Sequence, residues 1–96
     1  MSNTKRIVIL GAGESGTGAA ILAAQKGFDV FLSDLGEIKE KYRNDLEKHK
    51  IDFESGKHSE EKILNADEVI KSPGIPDKAP LIVKLKEKNI PVINEI

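Results

Sequence analysis

Ninety-six residues allow one small domain with one core and leave no room for a second. Fifteen Lys and Arg against 16 Asp and Glu give a net charge of −1, without the basic excess that nucleic-acid binding calls for; the lack of cysteine excludes disulfides and thiolate metal sites and permits a reducing compartment. No apolar run approaches the roughly 18 residues of a membrane span, and Met1 to Arg6 leads directly into an apolar strand with no signal-peptide core, so the expected location is cytoplasmic.

The first element is the unbroken apolar run Ile7-Val8-Ile9-Leu10, three of its four residues β-branched, which suits a parallel strand buried on both faces. It breaks into Gly11-Ala12-Gly13-Glu14-Ser15-Gly16, a Gly-x-Gly-x-x-Gly turn. Gly11 permits the sharp turn, Gly13 lets the backbone approach a pyrophosphate, and Gly16 lets the following helix pack tightly on the strand. Free N–H groups at the start of that helix supply an anion site without a basic side chain.

Thr17 to Lys26 carries Ala19, Ala20, Leu22, Ala23 and Ala24, a narrow apolar face, and Gly27 caps its end. A second strand, Val30 to Ser33, follows at once and makes a βαβ unit with a parallel pair. It ends at Asp34, roughly 20 residues beyond the glycines, where an acid meets a nucleoside hydroxyl or base edge. The glycine pattern alone is weak; strand, turn, helix and acid together point to a nucleotide-type ligand. The alternatives are glycines that serve only packing and an Asp34 that merely precedes a helix.

From Glu37 to His49 the apolar residues are Ile38, Tyr42 and Leu46, spaced by four, with charges alternating in sign, which predicts a surface helix. Ile51 to Ser55 alternates with period two, as a half-exposed edge strand does, and is closed by Gly56. Ser59 is placed to cap a short helix through Leu64. Glu68 to Lys71 forms a fourth strand and runs into Ser72-Pro73-Gly74-Ile75-Pro76, a rigid loop in which Pro73 extends Ser72 and Gly74 is free to take a positive φ. Pro80 opens a helix through Lys88 with Leu81, Ile82 and Leu85 inward, and Pro91-Val92-Ile93 is a last short strand.

The order β-α-β-α-β-α-β-α-β predicts an α/β fold, a Rossmann-like five-stranded parallel sheet of order 3-2-1-4-5 with helices on both faces. Loops after strands 1, 2 and 4, namely Gly11 to Gly16, Asp34 to Gly36 and Ser72 to Pro76, then converge on one crevice. His49 and His58 are too far apart and too poorly accompanied for a metal site and read as surface histidines. There is no Gly-x-x-x-x-Gly-Lys-[Ser/Thr] phosphate loop, Gly-x-Ser-x-Gly elbow or His-x-x-x-His pair.

The glycine turn, Ser33-Asp34, Asn65-Ala66-Asp67, Ser72-Pro73-Gly74-Ile75-Pro76 and Pro91-Val92-Ile93-Asn94-Glu95-Ile96 together resemble the N-terminal domain of the MurD ligases of the Mur ligase family, over essentially the whole chain. Ser-Pro-Gly-Ile-Pro is the most specific element. The resemblance implies a domain that holds the UDP end of UDP-N-acetylmuramoyl-L-alanine. In that family a central P-loop domain binds ATP with magnesium and a C-terminal domain binds D-glutamate; the substrate carboxylate becomes an acyl phosphate that D-glutamate attacks, in peptidoglycan precursor synthesis. The resemblance also implies that residues 1–96 are one domain excised from a three-domain enzyme, inactive alone, with no catalytic, cofactor or metal residues of its own and with no nucleic-acid or membrane partner.

By the same resemblance Glu14 and Ser15, with the backbone at Gly16 and Thr17, would face the UDP diphosphate, and Gly11 and Gly13 of the turn belong to the UDP site. Asp34, Leu35 and Gly36 would meet uracil or ribose, and Ser72, Pro73 and Gly74 would close the far side. Some relatives carry a basic or hydroxyl residue after the strand-2 aspartate; with Leu35-Gly36 here, a contact there runs through the backbone. Two other readings stand beside this one: an NAD(P)-binding module, from the fingerprint and Asp34, and a non-catalytic interaction scaffold. Dinucleotide folds normally need a second mononucleotide half that this chain lacks.

Overall fold

The computed structural model describes residues 4–94, so Met1 to Asn3 and the Glu95-Ile96 end of the last motif lie outside the described residues. Its elements are β1 (Arg6–Leu10), α1 (Glu14–Gln25), β2 (Asp29–Asp34), α2 (Glu40–Lys48), β3 (Asp52–Ser55), α3 (Glu60–Ile63), β4 (Glu68–Lys71), α4 (Pro80–Glu87) and β5 (Val92–Asn94). All four strand pairings are parallel and the order is β3-β2-β1-β4-β5, as the sequence predicts.

Alternation along the central strands divides the core into two. Ile7 and Ile9 of β1 with Val30 and Leu32 of β2 face α1 and α2, packing on Ala20, Ala23 and Leu46. Val8, Leu10, Phe31 and Val69 face the other way, onto Ile63 of α3 and Ile82 and Leu85 of α4. With both faces covered, β1 reads as a continuous apolar run, and its last three residues are fully buried. The small residues of α1 let that helix lie close to the sheet beside the glycine turn. Winding reverses between β1 and β4, which opens a crevice at the carboxyl ends of the strands.

Several boundaries differ from expectation. Helix α1 begins at Glu14 rather than Thr17, so Gly16 belongs to its first turn. Helix α2 begins at Glu40 rather than Glu37, because Lys39 is extended (φ −60, ψ 144) and its carbonyl takes the first helical N–H bonds, from Tyr42 and Arg43. Ile38 is nonetheless buried, reaching the core from the segment before the helix. Ser59 occupies the N-cap of α3 without a capping bond, since its hydroxyl is turned back to Glu54. The last strand extends one residue further, to Asn94.

Candidate functional site

Three loops at the crevice are stitched together by backbone geometry. Gly11 has φ +109, and a Cβ built on it would lie 2.9 Å from the Ser72 Cβ, so this position needs glycine both for its conformation and for its neighbour. Its N–H donates to the Ser33 carbonyl at 2.9 Å, and the Ser72 N–H donates to the Leu10 carbonyl at 2.9 Å. The Asp34 carboxylate bridges the first two loops, Oδ2 accepting the Ala12 N–H and Oδ1 the Gly36 N–H, each at 2.8 Å.

Gly13 differs from Gly11. It is the extended N-cap of α1, its φ of −77 suits any residue, and a Cβ there meets no atom within 4 Å. Neither its backbone conformation nor a neighbour among the described residues requires a glycine at position 13. The first intrahelical bond runs from the Thr17 N–H to the Gly13 carbonyl, 2.9 Å. The amides of Glu14, Ser15 and Gly16 therefore have no acceptor within the helix and face the end where the dipole favours an anion.

Between these loops lies a cavity of about 210 Å³ lined by Gly11, Ala12, Gly13, Asp34, Leu35, His58, Ser72 and Ile75. That is smaller than the roughly 300–1,000 Å³ of pockets that enclose a small molecule. Of the expected residues, Gly11, Gly13, Asp34, Leu35 and Ser72 line it. Glu14 and Ser15 are exposed on the first turn of α1, next to Gly13. Gly36, Pro73 and Gly74 are exposed at its margins.

Two expectations need correction. Thr17 is turned into the protein: it is buried, its amide serves Gly13, and its hydroxyl approaches the Ala12 carbonyl at 3.4 Å. Gly74 has no positive φ. The loop closes instead as a turn in which the Ile75 N–H donates to the Ser72 carbonyl at 3.0 Å with Pro73 second, the arrangement of a type I turn, where the third residue keeps a negative φ. Rigidity comes from an unexpected source: Lys71 is buried, its Nζ donating to the Ile75 carbonyl at 2.7 Å and lying 3.4 Å from Asp77 Oδ1.

His58, which reads from the sequence as a surface residue, is at the crevice. Its Nδ1 is 2.7 Å from Ser33 Oγ, which also lies 2.8 Å from Glu54 Oε2 and 3.0 Å from the Lys57 carbonyl. Glu54 accepts the Ser59 N–H and hydroxyl as well, each at 2.6 Å. Burial raises the Glu54 pKa, but the Ser59 and Ser33 hydrogen bonds and the Lys57 charge together hold it below the usual value. Burial lowers that of His58 against the opposing pull of Glu54 and Asp34. The hint in the sequence was positional: His58 follows the edge strand that pairs with the strand ending in Asp34.

A larger cavity, about 370 Å³, lies at the opposite ends of the strands, between Arg6, Phe31, Asp52, Phe53 and Lys62. Arg6 there is committed to Asn65, Asp29 and the Lys62 carbonyl and lies over the Phe31 ring, so it braces the fold. Among the described residues no three His, Cys, Asp or Glu side chains gather as a metal site, and no helix is long and apolar enough to cross a membrane.

A parallel 3-2-1-4-5 sheet with a glycine turn between its central strand and first helix places the chain among the Rossmann-like α/β domains. Within that class it belongs to the family of MurD-like N-terminal domains of the Mur ligases, whose model matches residues 5–94. It is 66% identical over 92 residues to a UDP-N-acetylmuramoylalanine–D-glutamate ligase of Bacteroides thetaiotaomicron, and 64% identical over 92 residues to the corresponding ligase of Christiangramia forsetii. Each match covers 96% of this chain and 21% of the relative, so the chain spans about a fifth of the length of these proteins. Among solved structures, the UDP-N-acetylmuramate–alanine ligase MurC of Thermotoga maritima superposes with a TM-score of 0.77 at 27% identity, over 97% of this chain and 21% of that one. A pseudomurein peptide ligase of Methanothermus fervidus shares the fold, with a TM-score of 0.80 at 22% identity over 95% of this chain and 19% of that one.

Proposed function

We propose that this domain holds the uridine diphosphate end of UDP-N-acetylmuramoyl-L-alanine for a cytoplasmic ligase that adds D-glutamate during peptidoglycan precursor synthesis. ATP, magnesium and the amino acid are handled by a central domain and a C-terminal domain of the parent enzyme. The observation that supports the reading is the pairing of an unencumbered Gly13, on the wall of the Asp34 and Ser72 crevice, with amides that have no acceptor within the helix at Glu14 and Ser15, both exposed, and at Gly16, which is buried. A diphosphate rests on those amides; the nucleoside extends along Asp34, Leu35 and Gly36; Ser72, Pro73 and Gly74 wall the other side. Asp34 keeps a lone pair on each oxygen beyond those used by Ala12 and Gly36, so it braces the loops and still accepts from the ligand.

Titration of the chain with UDP, NAD and NADP tests this. Saturable binding of UDP tighter than either dinucleotide is expected. Tighter NAD or NADP binding would transfer the site to a dinucleotide, and no response to any of the three would leave an interaction scaffold.

A further inference from the structure

Hydrogen bookkeeping around Ser33 fixes the state of a side chain that the diphosphate reading does not use. The Ser33 hydroxyl has one proton and three close neighbours: Glu54 Oε2, the Lys57 carbonyl and His58 Nδ1. The first two, an ionised carboxylate and a peptide carbonyl, only accept, so the single proton is taken up on their side, by the closer and charged Glu54, and Ser33 Oγ accepts from Nδ1–H of the imidazole. A neutral His58 in this tautomer carries a bare Nε2. Nδ1 is engaged by Ser33, the residue lines the cavity, and no protein partner for Nε2 is found among the described residues, which leaves that nitrogen available to a ligand. The charged groups facing the ring are Asp34, from the end of β2, and Glu54, from β3. Burial outweighs both and lowers the ring's pKa, which favours the neutral form.

Position in the sheet then selects which part of a ligand meets it. His58 follows β3, which pairs with β2 on the side away from β1, so it stands beyond Asp34 and Leu35 and away from Ser72. We infer that His58 is a specificity residue of this site, its neutral Nε2 accepting a hydrogen bond from an N–H or O–H donor of the ligand's nucleoside, either the uracil imide or a ribose hydroxyl. The inference rests on the nucleotide reading above and adds to it a residue that selects for a donor.

The test separates anchoring from contact. His58→Asn places an amide N–H where Nδ1–H was, keeping the bond to Ser33 while deleting Nε2. His58→Gln puts an amide near Nε2, where its oxygen replaces the acceptor. Isothermal titration of the chain and both variants with UDP, alongside their melting temperatures, is expected to show the Asn variant melting with the parent but binding UDP about five- to tenfold more weakly, with the Gln variant recovering part of the loss. The parent-to-Asn ratio is then measured with 2′-deoxy-UDP, 3′-deoxy-UDP and N3-methyl-UDP; it falls to unity for the analogue that lacks the donor. Parent-like UDP binding by the Asn variant, or a ratio that persists with all three analogues, overturns the role given to His58 while leaving the nucleotide site intact. If the parent itself does not bind UDP, the nucleotide reading fails and this inference falls with it.

Discussion

Asp34 Oδ2 accepts the backbone N–H of Ala12 at 2.8 Å, which ties the end of β2 to the glycine turn that follows β1. One carboxylate therefore sets the shape of the crevice as well as its charge. Asp34→Ala leaves the amides of Ala12 and Gly36 without their acceptor, and with Ala12 buried the cost to stability is about 1–3 kcal/mol. UDP binding should weaken by a similar factor. Urea unfolding and UDP titration of the same variant measure the two effects. Unchanged stability would mean that the turn holds its shape without the bridge.

Gly11 and Gly13 are expected to fail in opposite ways. Gly11→Ala forces a side chain into φ +109 and against the Ser72 Cβ, and should lower unfolding stability by more than about 1 kcal/mol. The Cβ of Gly13→Val meets no protein atom within 4 Å, and the change should cost folding only about 0.5–1 kcal/mol as a poorer N-cap, yet its side chain would fill the space above the free amides. A folded Gly13→Val chain should lose UDP binding; one that binds like the parent would show that the turn does not carry the diphosphate.

The polar cluster at the end of β3 predicts the direction of the pH dependence. Glu54 has a folded-state pKa below its unfolded value, so its contribution is present above the unfolded carboxylate range and is lost as pH falls through the folded value. His58 is also lowered when folded, so the unfolded chain takes up that proton first and stability falls as pH drops through the ordinary histidine range, near 6.5. Both act in the same sense. Melting temperature should decline in two steps on acidification, the first removed by His58→Asn and the second reduced by Glu54→Gln. A melting temperature that rises between pH 7 and 5 would reverse the assignment of His58, and one that rises on further acidification through the carboxylate range would reverse that of Glu54.

Strand order and the three converging loops were legible because the period of the apolar residues and the alternation of strands with helices leave few topologies open for a chain this short. Ile7 to Leu10 and Asp34 reach their expected positions for that reason. Less legible were features set by side-chain partners distant in sequence. Nothing local marks Lys71 as buried, because its partners, the Ile75 carbonyl and Asp77, meet it only once the loop folds back. Nor does anything local mark His58, whose role depends on Ser33 of the neighbouring strand. Gly74 misleads because a glycine third in a turn after proline fits two turn types, and closure by Lys71 and Ile75 accompanies the one without a positive φ.

The 96-residue chain by itself is predicted to have no ligase activity, however well it folds. Forming an acyl phosphate needs ATP held at a phosphate loop, and no Gly-x-x-x-x-Gly-Lys-[Ser/Thr] pattern occurs between Met1 and Ile96. Capture of that intermediate needs an amine held beside it, a task the resemblance gives to a C-terminal domain. Affinity should be modest, because the sugar and L-alanine end of the substrate would extend past a crevice of about 210 Å³ that, on the proposed reading, would grip only the nucleotide. A dissociation constant on the order of 0.1–1 mM, equivalent to about −5.5 to −4 kcal/mol, is expected for UDP. The assay is phosphate release with ATP, magnesium, D-glutamate and UDP-N-acetylmuramoyl-L-alanine. Glutamate-dependent release by this chain alone would show that the residues described here hold catalytic machinery that has been assigned to other domains.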